Sequence, residues 1–167
     1  MDHIWQLNKK NEEKILRKKA TPFDFNSMSK AELRELIQTM RKKMREANGV
    51  GLAANQMGLP FSAFVAEVPD ERGGKKFYAL FNATLEKNGK ETINVEEGCL
   101  SVPGKYGEVE RPKRVTLTGQ DKNGHMVKIK AWGLLARVFQ HETDHLNGVL
   151  FVDKAKYIHE AEKDESR

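Results

Sequence analysis

The sequence predicts a mixed domain of the α+β class, with helices at its flanks and antiparallel strands between them. Three observations predict it: an amphipathic helical pattern near 30–48, a middle stretch of short apolar runs punctuated by Asn-Gly turns, and a second helical pattern over 132–146. The chain has 167 residues, enough for one hydrophobic core, and nothing in it reads as a repeat, a low-complexity tract or a linker. We therefore expect one domain over 1–167. Apolar residues make up 38% and charged residues 32%, a globular rather than disordered balance. No apolar run approaches the roughly 18 residues of a membrane span. The first residues, MDHIWQLNKKNEEKILRKK, hold no continuous apolar stretch of the kind a secretory signal needs. Cys99 is the one cysteine, which excludes a disulfide within the chain and suits a reducing, cytoplasmic compartment. The formal charge of +5 is too modest to argue for specific nucleic-acid binding.

The first helix signal is a capping box, Ser29 followed three residues on by Glu32. Leu33, Leu36, Ile37, Met40 and Met44 then recur at helical spacing as a buried stripe, and Gly49 occupies the expected C′ position. Arg41, Lys42, Lys43 and Arg45 on the other face read as a solvated surface. Strands are expected over 61–68, 77–82 and 91–95. Asn88-Gly89 and Asn123-Gly124 are hairpin signals, the second lying between the alternating runs 115–118 and 127–129. Pro103, Gly104 and Gly107 predict irregular chain after Cys99. The last helix carries Leu134, Leu135, Val138 and Phe139 on its apolar face and ends at Asn147-Gly148. Residues 150–152 are a short apolar coda, and the charged tail from about 153 is expected to be a short helix or disordered.

That last helix contains QHETDH at 140–145. His141 and His145, four residues apart, project from one helical face and can reach one metal ion, while Glu142 can reach a water there without ligating. Both continue the line of Leu134 and Val138, so they face inward, where two histidines need partners. A catalytic metal site of this kind has three protein ligands and an open position. His3, His125 and His159 have no suggestive setting. Cys99 does, within EGCLS at 97–101, just after a predicted strand and beside Gly98. The third feature is GVGLAANQ at 49–56, a small-residue segment that lets an extended peptide come close and ends on Gln56, whose amide can donate to an oxyanion.

Together, in this order, the three segments resemble the motifs of one family, the peptide deformylases: Gly-x-Gly-Leu-Ala-Ala-x-Gln, Glu-Gly-Cys-Leu-Ser and Gln-His-Glu-x-x-Asp-His. The resemblance runs from about residue 16 to 153. It implies an α+β fold with antiparallel sheets packed around a central metal-binding helix. It also implies a metal-dependent hydrolase that removes the N-formyl group from the formyl-methionine of newly made peptides and releases formate. Cys99, His141 and His145 would ligate the metal, and Glu142 would be the general acid and base. Gln56 and the N–H of Leu100 would hold the oxyanion. Val50 and Gly51 would pair with the peptide backbone, and Glu97, Leu134 and Val138 would line the pocket for its first side chain. The family's usual metal is ferrous iron, Fe2+, and Zn2+, Ni2+ or Co2+ can occupy the site. Its partners would be N-formylmethionyl nascent peptides, with docking near the ribosome surface a reading of the family's task; no membrane partner is expected. Asp144 would orient the helix by pairing with a basic residue, for which we select Arg111. Asn55 departs from the family's commoner proline and is expected to loosen the loop that holds Gln56. Two rival readings fit less well. A zinc endopeptidase expects a further downstream ligand and leaves 97–101 without a role, and a non-catalytic binding module leaves a full set of reactive groups without one.

Overall fold

The computed structural model describes residues 3–161. Three helices, α1 (Lys10–Leu16), α2 (Lys30–Glu46) and α3 (Gly133–Leu146), accompany eight strands. These are β1 (Gly51–Ala53), β2 (Ala63–Pro69), β3 (Lys75–Lys87), β4 (Thr92–Cys99), β5 (Val102–Pro112), β6 (Arg114–Gln120), β7 (Met126–Trp132) and β8 (Ile158–Glu160). All pairings between named strands are antiparallel: a five-stranded sheet ordered β1-β2-β3-β6-β7 and a three-stranded sheet ordered β4-β5-β8.

Strand β2 explains the layering. Its residues 63–68 are all buried, with no polar alternation, because both its faces are covered. Ala63 and Val65 face the α2 stripe of Leu33, Leu36, Ile37, Met40 and Met44. Phe64, Ala66 and Val68 face Ala136, Val138, Phe139 and Leu146 of α3. The five-stranded sheet thus lies between α2 and α3, and α3 in turn packs against strands of both sheets.

The α2 capping box forms, with Ser29 Oγ accepting from Glu32 N (3.2 Å) and Glu32 Oε2 accepting from Ser29 N (2.7 Å). Its other end corrects the sequence reading by one residue. Asn48, at φ 55, takes the left-handed C′ position, and Gly49 N closes the motif on Met44 O (2.8 Å). The end of α3 is as expected: Gly148 is left-handed at φ 73, and a Cβ there would overlap the Arg17 carbonyl.

Four other expectations change. The 77–82 strand does not stop at Asn82 but bulges there, where Asn82 adopts φ 51, and continues to Lys87. The bulge swaps sides: Tyr78 and Leu80 face the α3 core before it, and Ala83 and Leu85 after it. Asn88-Gly89 makes no hairpin, because β3 and β4 belong to different sheets and the chain crosses between them there. The stretch after Cys99 is a strand, β5, and the expected irregularity is limited to its start, where residues 103–105 have no partner on β4 and Gly104 takes φ 73. Residues 158–160 of the tail pair with β5, and residues 162–167 lie outside the described residues. The second hairpin stands, but Asn123 is not left-handed. Asp121 Oδ1 accepts from Asn123 N (2.8 Å) and His125 N (3.0 Å) across a longer loop.

Arg41 and Arg45 keep the solvated face expected of them, with side chains 37% and 54% exposed, but they also have a partner beneath them. Both bond the buried Glu67 of β2, Arg45 at 2.9 and 2.8 Å, and Arg41 lies 4.2 Å over the Phe77 ring. Lys42 and Lys43 stay on the outer surface near Glu46.

Candidate active site

A cleft of about 520 Å³ opens between β1, the β4–β5 turn and α3. It brings together Val50, Gly51, Gln56, Glu97, Cys99, Leu100, Leu134, Val138, His141 and Glu142. His145 sits behind His141, 1% exposed. Two larger grooves, of about 690 and 750 Å³, contain none of Cys99, His141, His145 or Gln56.

The helix supplies two imidazoles and the β4–β5 turn the sulfur. His145 Nε2 lies 3.2 Å from Cys99 Sγ and 3.3 Å from His141 Nε2, and the three ligand atoms fall within 4.8 Å of one another. Donors about 2.0–2.3 Å from one tetrahedral ion would stand about 3.3–3.7 Å apart. A thiolate and two imidazoles whose lone pairs converge on one point therefore fit a borderline-soft divalent cation. His3, His125 and His159 join none of this: they pair with Glu12, Asp121 and Glu96.

The surrounding groups fix these donors. His141 Nδ1 bonds Glu97 Oε2 (3.0 Å), which turns Nε2 toward the sulfur. Glu97 is gripped by Arg111 at 2.7 and 2.8 Å. Burial works against its charge, but Arg111 and His141 outweigh burial and hold the carboxyl down at about 2. Arg111 also donates to Asp144 Oδ2 (2.6 Å), the partnership expected from sequence, and Lys154 bonds the same carboxylate.

Glu142 is 3% exposed, and its Oε2 has no hydrogen-bond partner among the described residues. Burial pushes its carboxyl up to about 7, His141 pulling the other way. Gly51 makes the room: a Cβ there would overlap the Glu142 carboxyl. Just ahead of β1 the Val50 carbonyl accepts from Glu67 N (2.9 Å) and so faces β2. The alternation of an antiparallel pair leaves the backbone groups of Gly51 on the free edge toward the cleft. The Val50 carbonyl is thus committed to β2, while Val50, exposed, also lines the cleft.

Gln56 is 2% exposed. Its Oε1 accepts from Ala53 N (2.9 Å), which leaves Nε2 to lie 3.7 Å from Cys99 Sγ and 3.1 Å from Ser101 Oγ. Asn55 does not loosen this turn. It is buried, and Nδ2 donates to the His145 carbonyl (2.6 Å), tying the turn to the helix. Leu134 and Val138 line the cleft; Leu134 is 40% exposed, whereas Val138 is buried and also belongs to the core. The sequence reading missed Lys105, Tyr106 and Arg137 in the same lining. Arg137 carried a usable signal, standing one helical turn before His141.

An antiparallel α+β frame around a helix that brings a thiolate, two imidazoles and a non-ligating carboxylate to one cleft is the arrangement of a metal-dependent hydrolase. The family model of polypeptide deformylases matches residues 2–161. A peptide deformylase of Caldicellulosiruptor bescii is 41% identical over 157 residues, covering 93% of this chain and 89% of that one. One of Rhizobium meliloti is 40% identical over 150 residues, covering 90% and 83%. The crystal structure of peptide deformylase from Thermotoga maritima superimposes with a TM-score of 0.79 at 37% identity, covering 94% of this chain and 99% of that one. The chain belongs to the polypeptide deformylase family.

Proposed function

We propose that this cleft is where the chain, acting as one catalytic domain, hydrolyses the N-formyl group of formyl-methionine peptides and releases formate. The observation that carries the reading is the convergence of Cys99, His141 and His145 beside a buried, non-ligating Glu142. These three hold one divalent cation, for which we favour Fe2+, with Zn2+, Ni2+ or Co2+ as substitutes. A cation held there supplies Lewis acidity for the formyl carbonyl and for a water.

Glu142 accepts the proton of the attacking water, for which a carboxyl raised to about 7 is well matched. Gln56 Nε2 and Leu100 N–H hold the oxygen that gains charge, and Glu142 then returns the proton to the leaving nitrogen. Gly51 pairs with the extended peptide at the free edge of β1, beside the Val50 side chain. Glu97, Leu134 and Val138 form the pocket wall for the methionine. The solved deformylase of Synechococcus elongatus in complex with actinonin, 37% identical with a TM-score of 0.80, supports a ligand-binding cleft in this fold. Among the described residues no helix is long and apolar enough to cross a membrane, and we place the reaction in the cytoplasm, on nascent chains near the ribosome.

The test compares kcat/KM for formyl-Met, acetyl-Met and formyl-Asp peptides on the metal-loaded chain. The acetyl methyl enters the space between Gln56 and Leu100, so acetyl-Met is expected to be poorer by at least about two decades, or about 2.7 kcal/mol. Aspartate in an apolar pocket is expected to be similarly poor. Comparable values for formyl and acetyl peptides would overturn the reading.

A further inference from the structure

The two oxyanion donors proposed above sit on different sheets. Gln56 follows β1 of the five-stranded sheet, and Leu100 lies in the turn after β4 of the three-stranded sheet. No strand pairing among the described residues links the two sheets; Gln56 Nε2 reaches Ser101 Oγ across the gap (3.1 Å), and the spacing between the donors rests on contacts of this kind.

The segment ahead of α1 spans that gap. Trp5 N donates to Gln56 O (2.7 Å), and Leu7 N donates to Ser101 O (2.8 Å). The two donors stand two residues apart, with Leu7 in the turn that leads into α1. The Trp5 indole lies on Gly58, the left-handed residue (φ 76) that closes the turn carrying Gln56, and a Cβ on Gly58 would overlap the ring. Leu7 packs with Val102, Val109, Leu150, Phe151 and Cys99 beneath the other sheet. The segment is itself held by Glu12 of α1, whose Oε2 accepts from Gln6 N (2.6 Å) and whose Oε1 bonds His3 Nε2 (2.7 Å). Residues 3–7 are absent from the cleft lining.

We propose that residues 3–7 are a clasp that sets the distance between the Gln56 amide and the Leu100 N–H, with Trp5 and Leu7 as positioning residues for the oxyanion hole. The clasp rests on the oxyanion roles given to Gln56 and Leu100. Its physical basis is the narrow tolerance of such a site: donors act at about 2.7–3.1 Å from the developing charge, and a displacement of about 1 Å can cost about a hundredfold in rate.

The test is a double-mutant cycle on the full-length, metal-loaded chain with a formyl-Met peptide. Trp5→Ala is expected to lower kcat about tenfold or more while KM stays within about threefold, because the donors act in the transition state. Trp5→Phe, which keeps a ring on Gly58, recovers most of the loss. In a Gln56→Ala background, Trp5→Ala is expected to add less than about twofold, since the group it positions is gone. Glu12→Gln, which loosens the clasp from outside, carries the same cycle if Trp5→Ala does not fold. Amide hydrogen exchange at Trp5 and Leu7 reports the loosening independently of activity. Equal losses with and without Gln56, or faster exchange with unchanged kcat, overturn the clasp. A wild-type chain that releases no formate would instead defeat the functional reading beneath it.

Discussion

Glu142 shows how much of the site turns on a single environment. Its neighbours His141 and His145 converge on Cys99, whereas Glu142 is buried beside Gly51, where the missing Cβ leaves space for the carboxyl. Glu142→Gln is expected to leave bound metal near one equivalent while kcat falls about 10²–10⁴-fold. Metal analysis alongside turnover checks both halves, and activity within a few-fold of wild type would remove Glu142 from the role. Asn55 is the residue whose sequence reading changed most. Its amide donates to the carbonyl of a proposed metal ligand from 90 residues away. Asn55→Ala is expected to cost about 1 kcal/mol in urea unfolding. It should also weaken metal binding in a competition titration, and unchanged values of both would mean the tie is idle.

At the scale of elements, the join between α2 and the five-stranded sheet is electrostatic as well as apolar. Arg45 first, then Arg41, hold the Glu67 carboxyl down at about 2, against the opposing effect of burial. A depressed carboxylate contributes stability fully above its unfolded value near 4.5 and loses it as pH falls toward about 2. Glu67→Gln is therefore expected to destabilise the protein clearly at pH 7, less at pH 3, and hardly at all near pH 2. Unfolding curves of both proteins across that range check the sign, and a gap that stays constant below pH 4 would assign the effect to packing instead.

On the scale of the whole molecule, the proposed cation joins parts that strand pairing leaves separate. Cys99 comes from the end of β4 in the three-stranded sheet, and both histidines come from α3, which packs on the five-stranded one. An ion bound only by the folded state stabilises it by mass action, about 2.7 kcal/mol at a hundredfold excess over Kd. Chelation is expected to lower Tm by several degrees for a chain of this length, and restored metal to return it. Cys99→Ala should have the lower Tm and not respond to chelator. A chelated wild type that melts unchanged would mean the three donors are not joined through a metal.

The sequence by itself determined what depends on neighbours a few residues away. The Ser29–Glu32 cap, the helical stripe on α2, the Gly148 stop and the two histidines one turn apart all follow from local hydrogen bonding or helical period. The three motifs carry the donor types the site needs, and the Arg111–Asp144 pair expected from sequence forms. Only the tertiary structure decided what distant segments supply. Asn88-Gly89 has hairpin chemistry, but its following strand found a partner in β5 instead of β3. Arg41 and Arg45 read as a solvated face, and only the fold brings the buried Glu67 beneath them as a partner. Val50 and Gly51 read alike in the sequence, and only the pairing with β2 shows that the Val50 carbonyl is bonded to Glu67 N. The physical reason is common to these cases: a side chain's or carbonyl's role is set by whichever group reaches it first. For groups far apart along the chain, that is settled by which strands pair and which faces pack.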